Sequence, residues 1–240
     1  MEIRAPLEDV YQTFANIAPP AQFDTSPLRD ASDYSDLLRV PLRTLSAEQL
    51  GAYGAQAITT VGSAQDYLYF LPRILELATV APTALGLEPA IIAGKLTTAG
   101  WPIWAEARRL PVQEVFSAAA RFSMAIHPDK GTSPESWLCG VALLGGSLER
   151  HLLYWRETMS QNGAVHLARW VGRASSDFST YLAEDGFWSG VDIESRETMA
   201  DWLASEATPL QLASALENSS SDDRWEFEQA LRLLDRWKFR

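Results

Sequence analysis

Apolar residues recur along the chain at three- and four-residue spacing, broken by short polar, Gly and Pro connections, which is the pattern of helices that bury one face. The first stretch predicts a helix over 6–17, with Leu7, Val10, Tyr11, Phe14 and Ile17 on one face, Pro6 in the first turn, and Pro19 and Pro20 as the stop. Residues 21–45 carry Asp24, Asp30, Asp33 and Asp36, the loop prolines Pro27 and Pro41, and one short apolar stretch at Tyr34, Leu37 and Leu38. They read as an acidic loop with one or two helical turns. Ser46-Ala47-Glu48-Gln49 has the form of a capping box, and Leu50, Tyr53, Ala57 and Val61 keep the helical period, so a helix is expected over 47–60 with Gly62 closing it. Ser63 caps the next segment, in which Pro72 either kinks a helix or opens another through Ile74, Leu75 and Leu77.

Further helices are predicted over 88–98, 102–109, 111–126, 134–144, 147–159 and 163–173, and then over 193–204, 208–217 and 222–237. Composition agrees: 33 Ala and 30 Leu stand against 10 Val and 9 Ile, favouring helix over strand. The fold class expected is all-α, an irregular array of ten or more short antiparallel helices in a single domain, 1–240. Helix pairs of this kind also build solenoids, but the segments do not superimpose at any constant period between about 30 and 45 residues.

Charge changes the picture of partners. A formal net charge of −11 and a pI near 4.7 repel nucleic acid and anionic lipid at long range, so neither is expected as a partner. Of the 20 basic residues only Lys95, Lys130 and Lys238 are lysines, a bias that carries no function. The single Cys139 forms no internal disulfide and supplies no thiolate cluster. Met1 to Pro6 do not read as a secretory signal, and apolar runs such as Val141-Ala142-Leu143-Leu144 fall short of the roughly 20 residues of a membrane span. A cytoplasmic location is expected.

Residues 177–206 differ from the rest: Asp177, Glu184, Asp185, Asp192, Glu194, Glu197, Asp201 and Glu206 face the lone base Arg196. In their middle, Glu184-Asp185-Gly186-Phe187-Trp188-Ser189-Gly190 sets two aromatics between glycines and reads as a loop. An aromatic displayed beside acids is what a protein-binding hot spot uses, so Asp185, Trp188, Asp192 and Glu194 are the candidate partner-binding residues. A loop anchor tucked into the core is the competing role for Trp188. The other eight tryptophans fall mostly at helical spacing with Leu or Ala and are expected to fill gaps between helices.

Nothing else in the chain assembles into a catalytic or metal-binding motif. His127, His151 and His166 have no partner at ligand spacing, and His151 and His166 each precede a Trp by four residues, which suits packing on one helix face. Cys139 sits in an apolar run and reads as core. Gly145-Gly146-Ser147 reads as a helix cap, since both glycine-rich nucleotide-binding patterns are absent. No cofactor and no metal is expected.

The densest block is Asp66-Tyr67-Leu68-Tyr69-Phe70-Leu71-Pro72-Arg73-Ile74-Leu75-Glu76-Leu77, which follows Thr60-Val61-Gly62. It resembles a block of uncharacterised bacterial helical proteins, where a Thr-x-Gly turn leads to Phe-Leu-Pro-Arg-x-Leu-Glu-Leu. The resemblance implies a helical fold and no activity. Physically, Arg73 is placed to pair with Asp66 or Glu76 while the aromatics anchor neighbouring helices. The function expected from the whole is a non-enzymatic, cytoplasmic protein that binds a basic protein through an acidic surface, with a toxin-neutralising immunity protein as its most specific form. The alternatives are an enzyme with a helical, carboxylate-lined cleft and a structural helical scaffold.

Overall fold

The capping box at Ser46 forms as the sequence implies. Its Oγ accepts from the Gln49 amide at 3.2 Å, the Gln49 side chain accepts from the Ser46 amide at 2.9 Å, and a helix follows over Ala47–Gln56. The structure, a computed structural model, describes residues 3–80 and 85–237; Met1, Glu2 and Lys238 lie outside them. The described residues form α1 (Arg4–Thr13), α2 (Ala47–Gln56), α3 (Ala64–Val80), α4 (Pro89–Thr98), α5 (Glu106–Ala125), α6 (Pro134–Leu143), α7 (Glu149–Glu157), α8 (Gln161–Arg173), α9 (Phe178–Glu184), α10 (Ile193–Ala204), α11 (Ala207–Glu217) and α12 (Arg224–Trp237), with short 3-10 turns between some of them. No strand occurs among the described residues, only isolated bridges at Thr25, Ala57 and Val61, so the fold is all-α.

By their internal contacts the residues divide into two compact units, Met1–Ala119 and Ala120–Arg240, with the boundary inside α5. In the first unit the core is aromatic: the Phe23 ring lies 5.3 Å from Tyr53 and 6.1 Å from Phe70, and Tyr53 and Phe70 meet at 5.1 Å. Helix α3 runs on through Pro72, so Pro72 does not open a separate helix. Pro72 is buried together with Phe70, Leu71, Ile74 and Leu75, and packing of that face on neighbouring helices offsets the lost backbone bond. Pro111 is likewise inside α5, which joins the two helices expected over 102–109 and 111–126. Helix α2 ends at Gln56 because the chain reverses there. Ile58 takes a left-handed φ of 68°, and the Lys95 ammonium, 2.7 Å from the Ala57 carbonyl, closes the corner.

In the second unit α8 is the central helix, burying Val165, Leu167, Ala168 and Val171 and packing chiefly on α12 and α11. Its N-terminal residues cap the end of α5: Ser160 Oγ donates to Met124 O at 2.9 Å, Asn162 Nδ2 to Ala125 O at 2.8 Å, and His166 Nε2 lies 2.9 Å from Ile126 O. Four indoles run in sequence through this core, Trp202 to Trp155 at 5.2 Å, Trp155 to Trp170 at 6.4 Å and Trp170 to Trp188 at 5.9 Å.

Candidate functional site

The second unit opens into a groove of about 1180 Å³ between the start of α9, the end of α10, α11 and the last turns of α12. Local chemistry fixes each wall. Asp177 caps α9, accepting from the Thr180 amide at 3.0 Å and the Thr180 hydroxyl at 2.8 Å. The corner between α10 and α11 is tied at the Trp202 carbonyl, which accepts from Ser205 Oγ at 2.8 Å, Thr208 Oγ1 at 3.2 Å and Arg156 Nη2 at 2.9 Å. The Arg156 guanidinium also lies 4.7 Å from the Trp202 ring centroid, adding a cation–π contact to the bonds that hold this corner. At the far end the Trp237 ring meets Phe178 edge to face at 4.8 Å.

Phe178, Ala200 and Leu234 form a buried floor, and Ala204, Leu210 and Ala213 are exposed along the sides, Leu210 at 71%. Around this apolar surface stand Asp177, Asp201, Glu206 and Asp235, all exposed, against the single cation Arg232. The Thr180 bonds hold the Asp177 carboxyl below the usual carboxylate range. Asp201, Glu206 and Asp235 have no ion pair among the described residues, so the negative rim is uncompensated there. An apolar floor under an unneutralised acidic rim suits an apolar segment that carries its own positive charge.

The residues singled out from sequence lie elsewhere. Trp188 is only 1% exposed and packs beside Trp170, so the expectation of a displayed indole is corrected: the ring is a core anchor held by the Trp188–Gly190 turn. Asp185 supports that turn, its Oδ1 accepting from the Phe187 amide at 2.9 Å and the Trp188 amide at 3.0 Å. Asp192 caps α10 through the Ser195 amide at 2.8 Å, and Glu194 is exposed in the first turn of the same helix, at the end away from the groove. Of the acid-rich segment, Asp177, Asp201 and Glu206 are the acids brought to the groove. The signal that could have found them is spacing, since Ala200, Asp201 and Ala204 repeat on α10 as Leu231, Leu234 and Asp235 do on α12.

The remaining candidates are structural in place. His151 and His166 are buried, and burial lowers both imidazoles to about 4, leaving them neutral near pH 7. His127 lies 3.0 Å from Asp223 and 3.4 Å from Asp129. No group of three His, Cys, Asp or Glu that could hold a metal occurs among the described residues. Burial pushes the Cys139 thiol up, away from nucleophile chemistry. Glu135 is the exception: burial raises its carboxyl to about 7 although Arg173 pairs with it, beside a cavity of about 180 Å³ that His166, Arg169 and Trp155 also line. In the dense block, Ser63 and Asp66 cap each other's backbone, and Arg73 pairs with Glu76 at 2.7 Å and donates to Leu45 O at 2.9 Å. Tyr11 donates to the same Glu76 carboxylate at 2.7 Å, so the block joins α3 to its neighbours.

Comparison with protein-family models, curated proteins and solved structures gives no match.

Proposed function

We propose that the protein acts by binding another protein, a basic one, through the acid-rimmed groove of its second unit. The observation that carries this reading is the groove itself, where four carboxylates surround exposed Ala204, Leu210 and Ala213 with one guanidinium among them. The net charge of −11 adds long-range steering toward a cationic partner and argues against nucleic acid and anionic membrane. No helix among the described residues is long and apolar enough to cross a membrane. The free, buried Cys139 fits a reducing compartment, and we take the site of action to be the cytoplasm, in a bacterial cell given the likeness of residues 60–77 to bacterial helical proteins. Neutralisation of a basic toxin is the specific form of this activity, with the acidic protein covering the toxin's cationic working surface.

Co-purification at low salt from the native host tests it. The reading expects a partner with a strongly basic surface, recovered with the unaltered protein and lost with the triple variant Asp201→Lys, Glu206→Lys, Asp235→Lys. Recovery of no partner, or its retention by the variant, contradicts it.

A second reading, an enzyme, draws on Glu135, because a carboxyl that exchanges its proton near neutrality is what general acid or base catalysis needs. Its cavity of about 180 Å³ is smaller than the usual small-molecule pocket, so the binding reading is the stronger.

A further inference from the structure

The groove's dimensions and lining say what kind of segment it accepts. At about 1180 Å³, and open to solvent, it exceeds the roughly 300–1,000 Å³ typical of small-molecule pockets. Protein segments dock by a short menu of modes, and addition of a strand needs a free sheet edge. None exists among the described residues of this unit. Recognition of phosphorylated or acidic segments needs clustered guanidinium groups, whereas this rim holds four carboxylates and Arg232. What the walls do present is rows at three- and four-residue spacing: Ala200 and Ala204 on α10, Leu210 and Ala213 on α11, Leu231 and Leu234 on α12. Such rows are the ridges between which the side chains of another helix settle, and the small Ala204 and Ala213 let its backbone come close.

We infer that the groove's occupant is an amphipathic helix of the partner, with its apolar stripe on Ala204, Leu210, Ala213 and Leu231 and its Lys or Arg residues toward Asp177, Asp201, Glu206 and Asp235. This rests on the protein-binding reading and specifies its partner's chemistry.

The test is selection of a phage-displayed library of random peptides, about 16 residues long, on the intact protein. Enriched peptides carry apolar residues every three or four positions with Lys or Arg between them. A synthetic copy of the most enriched peptide gains helical circular dichroism on binding and binds Leu210→Arg at least tenfold more weakly. Leu210 is exposed, so this variant keeps its melting temperature. Enrichment of proline-rich, extended or acidic sequences, no enrichment at all, or unchanged affinity for Leu210→Arg each overturns the inference. The two claims separate cleanly. A basic partner protein that depends on Asp201, Glu206 and Asp235 but ignores Leu210→Arg leaves the binding reading standing and removes the helix; a partner indifferent to the charge reversals removes the reading itself.

Discussion

The Trp237 indole meets the Phe178 ring edge to face, 4.8 Å between centroids at 88°, and so joins the last turn of α12 to the first turn of α9 at one end of the groove. Aromatic pairs in this geometry contribute about 0.5–1.5 kcal/mol beyond the area they bury. Trp237→Ala is therefore expected to lower unfolding stability by about 2 kcal/mol in urea titration, while Trp225→Ala, at a ring 59% exposed, stays within about 0.5 kcal/mol of the parent.

Trp188 is the sharper case, because its role changes between sequence and structure. As a core indole beside Trp170 it should cost about 3–5 kcal/mol when replaced by Ala. Asp192→Ala removes only a helix cap and should cost about 1 kcal/mol. Neither is expected to change partner affinity once the unfolded fraction is allowed for. A binding defect at Trp188→Ala with an unchanged melting curve would return the ring to the interface.

The buried histidines make stability fall in acid. His151 and His166 titrate at about 4 in the folded chain against an ordinary 6.5, so the unfolded chain takes up protons first. Their contribution is complete above pH 6.5 and is lost as pH falls toward 4, by up to ~3 kcal/mol for each group. His166→Gln, whose amide can still donate to Ile126 O, should reduce the slope of stability against pH in that window by up to about one proton.

Glu135 acts in the opposite direction. Its folded value of about 7 lies above the ordinary 4.5, so the folded chain holds the proton longer and stability declines as pH rises from 4.5 to 7. Glu135→Gln should remove this decline and gain on the parent by up to ~3 kcal/mol between pH 4.5 and 7.5 in denaturant titrations. Equal slopes for parent and variant would show that Arg173 already offsets the burial.

Most helices were legible because their signals are local. The Ser46 box, the prolines at the starts of α4 and α6, and the apolar spacing of α8 each act within one or two turns. Pro111 misled, and Pro72 left its helix open to two readings, because an internal proline costs one backbone bond, and long-range packing, which no window of sequence contains, can offset it. The groove was illegible for the same reason: Asp177, Asp201 and Asp235 line one groove only because α9, α10 and α12 come together around it with α11. Acid content singled out 177–206, of which Asp177, Asp201 and Glu206 line the groove, while Asp185 and Asp192 are occupied with backbone amides. A short Asp close before a helix or turn is more often a cap than a free charge.

The proposal requires that the carboxylates around Leu210 recruit a basic protein. Stopped-flow association with the co-purified partner, at about 20 and 200 mM salt, measures it directly. The unaltered protein should associate at least about tenfold more slowly at the higher salt, and the Asp201→Lys, Glu206→Lys, Asp235→Lys variant should be slow and nearly salt-independent at both, because exposed charges steer encounter over about a Debye length. Its stability should remain within about 1 kcal/mol per replaced charge. Association that ignores salt in the unaltered protein, or equal rates for the two proteins, would contradict the account.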